Sequence, residues 1–171
     1  MKLSTARIAT MDNREARCAI EELINAYGQC LDDGRLEEWP DLFTEDCLYQ
    51  ILPRENADQG LQIAVIYCDG RGMLQDRVTA YRTANLFAPH LYRHLMGGVR
   101  IGERQNGVIS ARTNYSVFRT AIDPIHYGAT EVYSVGEYID KIVFIGDVPK
   151  FKERVVIADT SRIQSLLVTP I

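Results

Sequence analysis

The chain is short of the residue patterns that carry most recognisable chemistry. Its four cysteines, Cys18, Cys30, Cys47 and Cys68, form no C-x-x-C pair, so a zinc site built on closely spaced thiolates is excluded and reduced core thiols are expected. There is no H-E-x-x-H and no G-x-S-x-G, and the glycine cluster CDGRGM lacks the third glycine of a dinucleotide-binding loop. No stretch approaches the roughly 18 apolar residues of a membrane span. The opening MKLSTARIATMDNREAR has no apolar run that could act as a signal peptide. Positive charge is not in excess: 19 Lys and Arg stand against 23 Asp and Glu, a net charge of -4. Nucleic-acid binding draws its affinity from clustered cations. Neither a nucleic-acid nor a membrane partner is expected, and the cytoplasm is the expected compartment.

What is present fits one domain. A length of 171 residues with 46% hydrophobic and 25% charged residues is that of an ordinary globular unit. Residues 1–12 are expected as a flexible extension and 13–171 as the domain. Ala16, Ile20, Leu23, Ile24, Tyr27 and Leu31 recur at helical spacing and predict a helix from Asn13, as its cap, to Asp32, closed by Gly34. RLEEWPDLF reads as a short second helix that Pro40 ends or kinks. EDCLYQIL alternates as a strand, residues 53–60 read as a polar loop, LQIAVIY is apolar and branched, and a third helix is expected from about Asp69 to Asn85. From Leu91 onward strand-like runs alternate with turn signals, Asn106-Gly107 and Gly146-Asp147 being hairpin turns. The last such run is SLLVTPI. Helices first and a long antiparallel meander after them make an α+β domain, with a curved sheet around the helices and with Gly128 and Gly136 where long strands bend or bulge.

Two of the three histidines, His90 and His94, stand four apart in PHLYRHLMGGVR. On a helix they would share a face. Here Pro89 and the run into a strand oppose a helix, and in a strand they lie about 13 Å apart, too far to share a metal. A Rieske cluster needs two cysteines and two histidines in short paired spacing, and no cysteine has a histidine within two residues. An acid–base pocket remains open: Asp46, Tyr49, His94, His126 and Asp140 could converge inside a cone-shaped domain as a histidine–carboxylate pair for proton transfer. Equally, His94 could sit in a packed polar interface with Asp140 capping a turn. The arginines Arg71, Arg77, Arg82, Arg93, Arg100, Arg104 and Arg112 crowd the middle third among Phe87, Tyr81 and Tyr92. They read either as solvated faces with i, i+4 pairs, above all Arg71 and Arg82, or as a protein–protein interface, above all Arg93 and Arg100.

Three stretches carry a family resemblance: EEWPDLFTEDCLYQI; IYCDGRGMLQDRVTAYRTANLFAPHLYRHLMGGVRI; and GEYIDKIVF followed by KFKERVVIADTSRIQSLLVTPI. Together they resemble the small, or beta, subunits of bacterial aromatic-ring-hydroxylating dioxygenases, in wording closest to the terephthalate and salicylate-hydroxylase type. The resemblance implies a nuclear-transport-factor-2-like cone, with helices in the mouth of a strongly curved antiparallel sheet. It also implies a homotrimer of this chain beneath three large, or alpha, subunits. Those would hold a Rieske [2Fe-2S] cluster and a mononuclear Fe(II), with electrons from NAD(P)H through a separate reductase, and no cofactor or metal would lie on this chain. The family's arginine–histidine pair before a strand ending in Val-Arg falls on Arg93, His94, Val99 and Arg100, and its helix arginine after an acidic residue on Arg77. At Gly98, where many members carry asparagine, the chain departs. Arg77, Tyr92, Arg93, His94 and Arg100 are thereby expected at subunit contacts, with no catalytic residue. The rival expectation is a stand-alone isomerase or dehydratase of the same fold using His94, Asp140 and Asp46. A homotrimeric scaffold for some other partner is the third.

Overall fold

The computed structural model describes residues 11–84, 86–160, 167 and 169–171. Helix α1 (Asn13–Asp32) buries Ala16, Ile20, Leu23, Ile24, Tyr27 and Leu31, the stripe its periodicity requires. Its cap position is Asp12, with no side-chain capping bond, and Asn13 instead accepts a hydrogen bond from Arg104 at 2.8 Å. The helix ends in a reciprocal pair of backbone bonds, Gly34 N–H to Leu31 O and Arg35 N–H to Cys30 O. These require the left-handed φ of +68° that Gly34 adopts. Met11 is buried and its carbonyl accepts from Arg104, so the expected extension over residues 1–12 does not reach that far; its first ten residues lie outside those described.

RLEEWPDLF forms a 3-10 helix (Leu36–Leu42) around Pro40, which places Trp39 wholly inside. Strand β1 (Phe43–Pro53) follows, then a short helix α2 (Arg54–Asp58) where a polar loop was expected. Strand β2 (Ile66–Asp69) leads into α3 (Arg71–Thr83), which starts after the expected Asp69 because Gly70 turns the chain at φ +93°. Strands β3 (His90–Met96), β4 (Arg100–Gln105), β5 (Val108–Ala121), β6 (Thr130–Ile145) and β7 (Val148–Ala158) complete the chain. Both expected hairpin turns form, with Asn106 and Gly107 at φ +51° and +78° and Gly146 at +63°. The strand expected over SLLVTPI lies mostly outside the described residues, and Leu167 and Thr169–Ile171 are not in a strand.

The strands make one sheet in the order β2-β1-β7-β6-β5-β3, with β4 beside β3 on the same edge of β5. Every pairing is antiparallel except β1 with β7. Bulges at Val117/Phe118 and Lys141/Ile142 bend the long strands β5 to β7. At Gly136 an added Cβ would fall 2.0 Å from the Ile157 carbonyl oxygen, so only glycine allows that approach. Gly128, by contrast, lies in the loop before β6. The inner face packs Tyr27, Trp39, Phe43, Tyr49, Tyr138 and Phe151 edge to face. Alternation sends Leu52, Val155 and Ile157 to the opposite face, where Ala57 and Ala64 cover them. Cys30, Cys47 and Cys68 are buried free thiols; Cys18 is exposed on α1, contrary to the core position expected for it.

Candidate functional site

Strand β3 pairs with β5 along one edge only, from His90 opposite Ala121 to Met96 opposite Tyr115. Alternation aligns His90, Tyr92 and His94 on one face, the two imidazoles about 13 Å apart by strand rise. Tyr92 fills the interval, its ring 4.5 Å from that of His90 and 6.5 Å from that of His94. Each histidine has its own acceptor: His90 Nδ1 lies 2.7 Å from the Ala88 carbonyl, and His94 Nδ1 2.6 Å from Asp32 Oδ1.

The His94 contact is built by the end of α1. Gly28 lets the helix settle on β3, since a Cβ there would come within 2.8 Å of Met96 Cε and 3.3 Å of His94 Cβ. One turn later Asp32 accepts the His94 backbone N–H at 2.9 Å as well as the ring nitrogen. That N–H points away from β5, so the carboxylate seals a sheet edge that would otherwise be open. The His94 side chain is fully buried, and its Nε2 has neither a partner nor contact with solvent. Asp32 borders a small cavity of 140 Å³ with Leu36, Tyr81, His90, Tyr92 and Thr169.

The other residues considered for an acid–base pocket are dispersed. Asp140 is fully buried and receives both Arg154 Nε and Nη2 at 2.8 Å. The two are directly paired across β6 and β7. The Arg154 guanidinium lies 4.1, 4.2 and 3.9 Å from the ring centres of Tyr27, Tyr138 and Phe151. Burial pushes the Asp140 carboxyl up and Arg154 pulls it back; the bidentate geometry is that of a carboxylate holding a charged guanidinium. Asp46 is exposed and paired with Lys152, Tyr49 bonds Tyr27 and Ile171, and His126 pairs with Asp123 on the exposed β5–β6 loop. A convergence of Asp46, His94 and Asp140 therefore does not form. The carboxylate that meets His94 is Asp32, 62 positions away, and nothing local in the sequence marks the pair, because it depends on how α1 crosses β3. Among the described residues no group of three or more His, Cys, Asp or Glu side chains is placed to hold a metal ion.

The arginines divide in the same way. Arg77 is half-buried and donates to the Leu167 carbonyl at 3.3 Å. Arg71 reaches the Phe43 carbonyl at 2.6 Å and Glu45 at 2.8 Å, and Arg82 crosses to Glu37 on the 3-10 helix, so both brace separate elements rather than making i, i+4 pairs. Glu137 is buried between Arg54 and Arg112; burial pushes its carboxyl up, but the two guanidiniums outweigh this and hold it below the usual carboxylate range. Of the five expected contact residues, Tyr92 and the His94 side chain face inward, while Arg93 and Arg100 are exposed. Leu91 and Leu95, flanking Arg93 on the outer face of β3, are exposed as well, and so is Val132 on β6. No helix among the described residues is long and apolar enough to cross a membrane.

Comparison with known proteins agrees with this architecture. Residues 28–165 match the family model described as ring hydroxylating beta subunit. The chain is 44% identical to the small subunit of anthranilate 1,2-dioxygenase from Burkholderia cepacia, over 87% of this chain and 90% of that one. It is 35% identical to a terephthalate 1,2-dioxygenase terminal oxygenase beta subunit from Comamonas, over 85% and 92%. A crystal structure from Novosphingobium aromaticivorans, assigned as the beta subunit of an aromatic-ring-hydroxylating dioxygenase, superposes with a TM-score of 0.83 at 47% identity and covers 92% of this chain and 98% of its own. With a nuclear-transport-factor-2-like cone and these relatives along nearly its whole length, the chain belongs to the ring-hydroxylating beta-subunit family and is the small subunit of an aromatic-ring-hydroxylating dioxygenase.

Proposed function

We propose that this chain is the non-catalytic, assembly-forming subunit of a Rieske-type oxygenase acting on an aromatic carboxylate in aromatic catabolism. The observation that carries this is the 44% identity, over 87% of its length, to the small subunit of an anthranilate dioxygenase; anthranilate and terephthalate are both aromatic carboxylates. In this reading residues 13–171 are one domain, three copies associate, and three large subunits join them in a cytoplasmic hetero-hexamer. The large subunits would hold the [2Fe-2S] cluster and the mononuclear Fe(II), supplied with electrons from NAD(P)H through a separate reductase.

The interior supports a structural role. Aromatic side chains and the Asp140–Arg154 pair fill the cone, and His94, whose ring meets the partly buried Asp32, has its Nε2 sealed from solvent. Subunit contact falls in this reading to the outer face of β3, where Arg93 stands between Leu91 and Leu95, and to Arg100 at the start of β4. Guanidinium groups next to exposed aliphatic side chains suit a protein partner. Tyr92, His94 and Arg77 act from beneath, holding β3 and the Leu167 segment in place for that surface.

The test is co-expression with a large subunit encoded beside it, followed by sizing and oxygenase assay on anthranilate and terephthalate. A mixed complex containing both chains in equal number is expected. A large subunit fully active without this chain, and no mixed complex, would overturn the proposal.

A further inference from the structure

Arg100, Arg112, Ile139 and Val155 lie in one row across the outer face of β4, β5, β6 and β7, each directly opposite the next, so that neighbouring Cα atoms are about 5 Å apart. Like charges directly opposite each other on adjacent strands repel. Arg112 is relieved through its Nε, which meets Glu137, but that carboxylate is already shared with Arg54. Among the described residues Arg100 makes no ion pair, and the terminal nitrogens of Arg112 make no hydrogen bond. The two arginines border an open groove of 400 Å³, which Ile139, Ser110 and Gly102 also line. Ile139 is 40% exposed there.

We infer that this groove receives an aspartate or glutamate side chain of the large subunit, with an apolar neighbour of that residue covering Ile139; the inference rests on the assembly reading above. Two guanidiniums side by side can each take one oxygen of a single carboxylate, which turns their mutual repulsion in the free chain into attraction for the partner. A small free anion would satisfy the arginines and leave Ile139 in water, whereas a protein segment satisfies both halves of the groove, and arginine beside a covered apolar side chain is what concentrates binding energy at an interface. The groove also continues the surface assigned to the large subunit: β3 ends at Met96 and β4 begins at Arg100, and both pair with the same edge of β5.

The test is made on the complex of the full-length chain with the large subunit encoded beside it. Arg100→Lys puts an amine in the groove, and a carbodiimide joins an amine to a carboxylate in direct contact with it. Peptide mass spectrometry should find position 100 linked to an aspartate or glutamate of the large subunit. Ile139→Asp places a rival carboxylate beside Arg112 and should weaken assembly at least tenfold, and Ile139→Ala should weaken it severalfold. Should Ile139→Asp melt below wild type, Ile139→Ala alone is compared. With a wild-type complex in hand, a link from position 100 only within its own chain, only to a second copy, or to nothing would overturn the site and leave the assembly reading standing, as would unchanged assembly of the folded Ile139 variants. No mixed complex from wild type would overturn both.

Discussion

Two carboxylates, Asp140 fully buried and Asp32 partly so, do opposite work with the same functional group. Asp140 faces its arginine directly across two paired strands, in a cage of three rings. Asp32 stands at the last residue of a helix and reaches an open sheet edge, where it holds a backbone N–H and an imidazole together. The first is a clamp inside a sheet and relies on full compensation of charge, because the desolvation of two ions is offset only by near-ideal geometry. The second joins a helix to a strand and replaces a missing neighbour strand. The difference teaches that burial of an acid–base pair does not itself make an active site: Arg154 is locked by its cage, and His94 by the sealing of its second nitrogen.

Breaking the clamp should have the largest effect. Asp140→Ala leaves a buried guanidinium uncompensated and is expected to cost about 3–5 kcal/mol, seen as a fall in melting temperature of roughly 10 °C or more. The double variant Asp140→Leu/Arg154→Met should recover most of that loss; equal instability of the single and double variants would refute the clamp. Asp32→Ala strands an edge N–H and one ring nitrogen and should cost about 1–3 kcal/mol. Hydrogen exchange at the His94 amide should rise more than exchange at Ile109 or Ile142, in the centre of the sheet.

Glu137 sharpens the comparison through pH. Its folded value lies below the ordinary 4.5 because Arg54 and Arg112 outweigh its burial. The stability it contributes is therefore present above about pH 4.5 and is lost as pH falls through the folded value. Thermal melts from pH 6 to pH 3 should show wild type losing stability more steeply than Glu137→Gln; parallel slopes would exclude this assignment. The smallest effect on the chain itself belongs to Arg93→Ala and Arg100→Ala, within about 0.5 kcal/mol. Assembly with the large subunit should nevertheless weaken at least tenfold, and unchanged assembly would move the contact surface elsewhere.

Much of the architecture was legible because local rules govern it. The apolar stripe of α1, the Gly34 stop and the Asn106-Gly107 turn each depend on neighbouring residues only, and the structure places them as read. Residues 54–58 were misread because a single turn of helix has too few positions to show a period. The site was less legible. His90 and His94 were correctly separated by strand spacing, yet the partner of His94 was missed, and Asp140 was grouped with it when strand register commits Asp140 to Arg154.

By itself the sequence determined that this is an α+β domain without the spacing of a metal or nucleophile motif, and its quoted stretches resembled the family to which the chain belongs. Periodicity and turn chemistry are properties of adjacent residues, so they can be read along the chain. Only the tertiary structure decided that Asp32 meets His94, that Arg154 takes Asp140, that Tyr27 and Tyr49 close on Ile171, and which arginines face outward. Those pairings join positions 14 to 144 residues apart, and the curvature of the sheet and the crossing of α1 over β3 set them, because a side chain meets whatever the packed backbone brings within reach.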